Sequence, residues 1–268
     1  MRVTEPALIE TVLLGLLQGP AELLPVSSSA HVGLLPWALG WRHATLPGEV
    51  RKEVEVALHA GTALALGRPR VPLGVLAAAT APPALAGLAF ERAVEARLGT
   101  PRTIAFGLLA GSAAMVLADR VPVRPTAPGL VDVPDLSRRG DPGVVDGLWL
   151  GLAQAAALFP GVSRSGATRA AARARGFSRR DAAALSREVA LPVLAGASVL
   201  KGARLAGRRP TPPTLRALAA GAGAAALSTR LALRLERSHA ADAPLSAWAA
   251  YRTVLAVTIL AACQDRAR

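Results

Sequence analysis

Two short stretches carry reactive side chains where apolar ones would be expected. "GLLQGPAELLPVSSSAH", Gly15 to His31, is apolar for most of its length yet holds Gln18, Glu22, Ser27, Ser28, Ser29 and His31. "PGVSRSGAT", Pro160 to Thr168, supplies Ser163, Arg164, Ser165 and Thr168, with Gln154 just upstream. Gln18 and Glu22 are four apart and share one helical face. A Gly-bounded loop offering backbone N–H groups, hydroxyls and a guanidinium is how a phosphate or diphosphate is held. A carboxylate and an imidazole add acid–base capacity. Each group alone has a plainer use. A serine in an apolar helix bonds the carbonyl one turn below. An arginine reaches for the interface, and His59 in "EVALHAG" reads as a helix histidine with an internal partner. The combination, present twice, is what the plain readings explain badly.

The doubling is visible in the letters. "LGLLQGPAELLPVSSS" (Leu14 to Ser29) lies over "LGLAQAAALFPGVSRS" (Leu150 to Ser165) at one offset, the separation of Ser27 from Ser163. Leu14, Gly15, Leu16, Gln18, Ala21, Val26, Ser27 and Ser29 all recur. "EVAL" at Glu55 to Leu58 returns at Glu188 to Leu191. The chain therefore reads as a single membrane domain, 1–268, of two related halves near 1–120 and 143–268, joined by a polar linker over about 120–146. Such halves are often inverted-topology repeats around a central site. Each motif is broken by Pro25 or by Pro160 with Gly161, which predicts two re-entrant hairpins in place of clean spans.

The elements that must position these groups are apolar helices. Val71 to Phe90 contains no Asp, Glu, Lys or Arg, and about 20 such residues cross a bilayer core. Thr11 to Trp41 carries only Glu22 as a formal charge. Thr103 to Ala118, Gly147 to Ser163, Val189 to Leu200 and Ala217 to Thr229 are shorter clean runs, and Ala243 to Gln264 carries one arginine, Arg252. A soluble amphipathic helix needs a recurring charged face, which these runs lack. The expected fold is all-α: a polytopic integral membrane helical bundle. Mean hydropathy is only +0.37 because the chain is rich in Ala and its basic residues are nearly all Arg. The net charge of +13 has no aromatic-interleaved basic patch behind it, so nucleic acid is excluded. Arginines at Arg169 to Arg180 and Arg204 to Arg216 read as loop charges that set topology and touch anionic headgroups. A lone Cys263 excludes an internal disulfide and any Cys-cluster metal site. Acidic Glu5 and Glu10 before the first apolar run do not resemble a cleaved signal peptide.

"QGPAELLPVSSSAH" resembles the "[E/Q]xxxE…PVSSxxH" signature of the undecaprenyl-diphosphatase (bacitracin-resistance) family, and "PGVSRSGAT" its "PGxSRSxxT" signature. "EVALHAGTALAL" and "PLSAWAAYRTVLA" fit further family positions, so the likeness covers most of the chain. The resemblance implies a multi-pass protein of the bacterial plasma membrane. It would remove the terminal phosphate of undecaprenyl diphosphate, recycling the lipid carrier for cell-wall synthesis and conferring bacitracin resistance. It implies inverted repeats, a divalent cation (Mg²⁺ or Ca²⁺) and a site open to the outer face. Carried over by position, Glu22 is a catalytic or metal-binding carboxylate and Gln18 a metal ligand where many members have Glu. An amide oxygen is the poorer Mg²⁺ or Ca²⁺ ligand. His31 is the catalytic histidine, as base or nucleophile. Ser27 is the alternative nucleophile or a phosphate contact, and Arg164 is catalytic. Ser28, Ser163, Ser165 and Thr168 bind phosphate. Ala30 stands where glycine is commoner.

Attack by Ser27, by His31 and by water are all open on the residues alone. Ser27 and His31, four apart, would lie side by side if one helical turn held both. The alternative function is a transporter or flippase for a polyprenyl phosphate lipid, since inverted repeats with broken helices are transporter architecture. A membrane phosphatase of the acid-phosphatase type is rejected, because "SRSGATRAAARA" has Ala170 and Ala174 where "SRxxxxxHxxxD" needs His and Asp. A scaffold gives no reason for Glu22, His31 and Arg164 at membrane depth. The oligomeric state is not encoded in any feature of the sequence.

Overall fold

The computed structural model describes residues 5–123, 141–207 and 210–265, so most of the expected linker lies outside the described residues. All the regular structure among the described residues is helical. The α-helices are α1 Leu8–Leu23, α2 Ser28–Leu39, α3 Gly48–Leu66, α4 Leu73–Arg97, α5 Pro101–Asp119, α6 Val144–Ala156, α7 Arg164–Ala174, α8 Arg179–Ala206, α9 Pro212–Leu235 and α10 Leu245–Asp265. A 3₁₀ turn, Arg42–Thr45, and a π turn, Glu236–Ala240, connect them. Four stretches are long and apolar enough to cross a membrane: Leu73–Phe90, Pro101–Asp119, Arg179–Leu205 and Leu245–Asp265. Their outward faces are apolar too. Leu73, Leu85, Leu88 and Phe90 on α4, and Val254 and Val257 on α10, are exposed. Such area would drive association in water and is at rest against lipid.

The helices sort into two compact units. One comprises α1, α2, α3, the part of α8 from Leu191 onward, and α9. Leu14, Val32, Val54, Leu58, Leu218 and Ala225 form its core. Without a hydrophobic drive in lipid, helices associate by close backbone approach at small residues. A Cβ at Gly15 would sit 2.4 Å from the Gly221 carbonyl oxygen, and one at Gly19 2.3 Å from the Thr229 nitrogen. Ser228 Oγ seals the α1–α9 seam, donating to the Gly15 carbonyl at 2.8 Å and accepting from the Gly19 N–H at 3.2 Å. On α3, a Cβ at Gly61 would lie 2.1 Å from the Ala222 carbonyl oxygen of α9. Gly61→Ala should therefore push α3 off α9 and lower stability by about 1–3 kcal/mol, the cost of overpacking. Gly223→Ala, on α9 with open space around its Cβ, should hold or raise the melting temperature. Thermal unfolding of the two purified variants in detergent checks this; equal melting temperatures would mean that the close approach is unimportant.

The other unit comprises the turn Pro25–Ser27, α4, α5, α6, α7, the part of α8 up to Ala190, and α10. Ala79, Leu150, Ala172, Phe177, Ala182, Leu185 and Val189 form one core cluster. Met115, Ala118, Ala170, Leu245 and Ala249 form another. Gly147 and Gly151 bring α6 against α4, their Cβ positions 2.5 Å and 2.7 Å from the Val75 and Ala78 carbonyls. Asp119, at the end of α5, accepts from Arg179 Nε and Nη2, both at 2.9 Å, and from the Leu245 N–H at 3.1 Å. Arg173 Nε lies 3.4 Å from the same carboxylate, and Arg175 Nε donates to Asp146 Oδ1 at 2.8 Å. This corrects the reading of Arg169 to Arg180 as loop charges. These residues stand mainly on α7 and α8, Arg169 and Arg173 are buried, and Asp119 ties three helix ends together. Arg180 instead pairs with Asp242 on the surface, where its hydrogen bond holds the Asp242 carboxyl below the usual carboxylate range. An exposed pair of that kind adds little stability.

Candidate functional site

Pro20 sits inside α1, where it removes one backbone donor from the helical ladder. The helix nevertheless runs on to Leu23, so Gln18 and Glu22 stay one turn apart on one face. Both are buried, at 1% and 5% exposure. Gln18 Nε2 donates to Glu22 Oε2 at 3.3 Å. His59, on α3, places Nε2 3.5 Å from the same oxygen. One turn earlier on α3, Lys52 Nζ donates to Glu55 Oε2 at 2.8 Å. The helix histidine thus does have an internal partner, and that partner is the buried acid of the first motif. The sequence signal was His59 itself, the one titratable group between Val56 and Leu66 in the apolar second half of α3.

The two broken motifs share a backbone feature. Ser27 and Ser163 adopt positive φ, 79° and 71°, as the two non-glycine residues that do so among those described. The left-handed region costs an L-residue roughly 1–2 kcal/mol, and such strain is kept where surroundings over-determine it. Each serine immediately precedes a helix, α2 or α7. Ser163 caps α7, its Oγ accepting the Gly166 N–H at 3.2 Å and lying 3.3 Å from Ser165 Oγ. Ser27 is 1% exposed. Its φ takes it out of α2, so Ser27 and His31 are not an i, i+4 pair within one helix, as their spacing had suggested. Ser28 and His31 are half-buried in the first turn of α2, and Ser29 is exposed.

Around the second turn, Arg164 is half-buried and its Nη1 donates to the Ser186 carbonyl at 2.9 Å. Thr168 Oγ1 donates to the Arg164 carbonyl at 2.8 Å and pairs with Ser186 Oγ at 2.7 Å. Ser163, Ser165, Thr168 and Ser186 are all buried. The start of α7 and Ser186 of α8 thus form one cluster of hydroxyls around a guanidinium. Ser186, in an Ala-rich helix, gave no signal in the sequence. Gln154, the counterpart of Gln18, has a structural use: its Nε2 donates to the carbonyls of Ala79 at 2.9 Å and Val189 at 3.3 Å. The position matching Glu22 is Leu158, so the second motif has no acid. Arg252, in the sequence only the one charge of its apolar run, gains a place beside the site. It is fully buried on α10, and its guanidinium reaches the backbone of both turns.

No group of three or more His, Cys, Asp or Glu among the described residues is placed to hold a metal ion. The donor set of Glu22 and Gln18 still fits a hard cation. Mg²⁺ is commonly bound by one or two carboxylates together with substrate phosphate and water, without an all-protein cage.

The sequence profile of the family described as "Bacitracin resistance protein BacA" matches residues 11–67 and 68–258. Relatives named undecaprenyl-diphosphatase align along most of the chain. The one from Geobacter sulfurreducens is 35% identical over 263 residues, covering 87% of this chain and 91% of its own. That from Moorella thermoacetica is 33% identical over 275 residues, covering 94% and 97%. That from Pelotomaculum thermopropionicum is 34% identical over 212 residues, covering 72% and 74%.

Proposed function

The chain belongs to the bacitracin resistance protein BacA family, and from that premise we propose that it is an undecaprenyl-diphosphate phosphatase of the bacterial plasma membrane. Water, directly or after a covalent step, cleaves the bond to the terminal phosphorus. Inorganic phosphate leaves and undecaprenyl phosphate stays in the bilayer. That product is the carrier form used in cell-wall synthesis, and its regeneration from the diphosphate that bacitracin sequesters is the resistance. The observation that carries the reading is the turn at Ser163. Buried hydroxyls, the Arg164 guanidinium and the start of α7 gather in a chain with apolar outward faces. That turn suits a phosphate group whose remainder is lipid.

The roles follow from the chemistry. The transition state of phosphoryl transfer spreads charge over the phosphoryl oxygens, so catalysis is positioning and electrostatics. Arg164, Ser163, Ser165 and Ser28 donate to those oxygens, and Thr168 braces the turn through Ser186 and the Arg164 carbonyl. His31 either takes the proton of the attacking oxygen, of Ser27 or of water, or is itself the nucleophile on the terminal phosphorus. Glu22 is a buried carboxylate serving a polyanion, an arrangement that repels unless a cation intervenes. Glu22, with Gln18 beside it, would hold a divalent cation, Mg²⁺ or Ca²⁺, which when bound supplies neutralisation of the diphosphate charge. His59 keeps the Glu22 carboxylate oriented. The two sequence halves would be inverted repeats whose broken motifs form re-entrant hairpins. The equal placement of Ser27 and Ser163, each with positive φ ahead of a helix, supports this.

The test is phosphate release from undecaprenyl diphosphate by the purified protein in detergent with Mg²⁺ or Ca²⁺. Release is expected. Denaturing quench at neutral pH and mapping of a phospho-enzyme then assigns the nucleophile: a phosphoserine at position 27, a phosphohistidine at position 31, or none, which leaves water. A folded, monodisperse protein that releases no phosphate would sink the hydrolase reading and leave lipid-phosphate transport, assayed by translocation in vesicles.

A further inference from the structure

Arg252 is the one formal charge in the last apolar run, and it lies fully buried within α10. A charge at membrane depth is costly and needs partners. Its partners are unusual, four backbone carbonyls and one hydroxyl with no carboxylate among those the structure gives. Nη1 donates to the Pro25 carbonyl at 3.2 Å, and Nη2 to those of Gly161 at 3.0 Å, Val162 at 2.9 Å and Leu108 at 3.1 Å. Nε donates to Ser112 Oγ at 3.3 Å. Pro25 and Gly161 occupy the same place in the two copies of the motif, each two residues before the serine with positive φ. One guanidinium therefore grips equivalent carbonyls of both strained turns. Space for it is built in. A Cβ at Gly111 of α5 would sit 2.3 Å from Nη2, and one at Gly166 of α7 3.0 Å from Nη1.

We propose that Arg252 is a positioning residue for the phosphatase reaction. It holds the Ser27 turn and the Ser163 turn in their left-handed conformations and so sets where their hydroxyls and the start of α7 stand. This rests on the function proposed above. A planar fork with five donors can satisfy several carbonyls from one point. A lysine ammonium offers three donors on one atom and cannot span the same set. The carbonyls would otherwise be buried and short of donors, and the turns would relax toward φ values that L-residues prefer. Misplacement of reacting groups by about 1 Å costs about 100-fold in rate.

The experiment uses the full-length protein in detergent, with phosphate release and backbone hydrogen exchange measured on the same samples. Arg252→Ala is expected to lower kcat/KM by about 100-fold, and millimolar guanidinium to restore at least about tenfold of it by refilling the site. Exchange should rise in peptides covering both turns, 24–31 and 158–166. Arg252→Lys should stay impaired. Gly111→Ala, which displaces the guanidinium without deleting it, should lose activity without rescue by guanidinium. A merely structural role would lower the folded fraction and leave activity per folded molecule and guanidinium response unchanged. Arg252→Ala within threefold of the parent, or a loss that guanidinium does not relieve with exchange in the turns unaltered, overturns the proposal. Where Arg252→Ala does not fold, full activity in Arg252→Lys or Gly111→Ala overturns it. A parent inactive on the lipid diphosphate would fault the phosphatase reading alone, and the exchange of the two turns would still decide whether Arg252 holds them.

Discussion

Glu22→Gln is expected to cut phosphate release by about a thousandfold, equivalent to about 4 kcal/mol of transition-state stabilisation, while the protein melts near the parent temperature. The substitution keeps shape and one acceptor oxygen. The new amide can still meet Gln18 Nε2 and His59, whose nitrogens lie 3.3 Å and 3.5 Å from Glu22 Oε2. The charge goes, and one acceptor oxygen becomes a donor. The amide leaves both neighbours with a hydrogen-bond partner, so the substitution avoids the cost of an unsatisfied buried polar group. A loss of rate with no loss of fold would therefore mark the carboxylate as part of the chemistry. If its work is to hold a divalent cation against the diphosphate, raising the Mg²⁺ concentration should recover part of the lost rate in Glu22→Gln and leave the parent near its plateau. Activity within tenfold of the parent would make Glu22 a structural acid, and the cation would then need other ligands.

The membrane architecture was legible because the bilayer imposes a simple rule on composition. The clean run Thr103 to Ala118 became α5 almost residue for residue, and Val71 to Phe90 became the apolar part of α4, which runs on to Arg97. The breaks at Pro25 and at Pro160 with Gly161 fell where the chain leaves α1 and α6. Boundaries set by charged residues were not legible. The clean run Val189 to Leu200 is only the middle of α8, which extends from Arg179 to Ala206. Arg179 reads as a loop residue until Asp119 appears beside it, 60 positions away in the chain. Pairing between distant residues is a property of the packed helices, and composition does not record it.

The same division runs through the candidate site. Gln18 and Glu22 could be paired from spacing alone, since a helix brings i and i+4 together. Ser163, Arg164 and Ser165 could be grouped because they are adjacent. His59, Ser186 and Arg252 could not be placed, because their partners are Glu22, Arg164 with Thr168, and Pro25, each brought near by tertiary packing. Arg252 was visible as an anomaly, the one charge in an apolar run. What it grips follows only from the fold. The positive φ of Ser27 and Ser163 was likewise hidden, since Pro and Gly nearby announce a turn without stating which residue takes the strained conformation.

Arg164→Lys separates geometry from charge at the second turn, and it is expected to lose about 100-fold in kcat/KM, against about a thousandfold or more for Arg164→Ala. Arg164 opens α7, and its Nη1 is held by the Ser186 carbonyl at 2.9 Å, which fixes the plane of the guanidinium. A fixed plane matters for a phosphoryl group that takes two parallel hydrogen bonds. Lysine keeps the charge on a flexible stem and presents it as a point. If Lys restores the parent rate, Arg164 acts through charge alone and its orientation by Ser186 is incidental. If Lys and Ala are equally poor, orientation is everything. Combining Arg164→Ala with Glu22→Gln carries the argument further. Groups that serve one transition state are strongly non-additive, so the double variant should lose far less than the product of the single losses. A fully multiplicative loss would show that the acid and the guanidinium contribute independently to the barrier, without coupling between the two motifs.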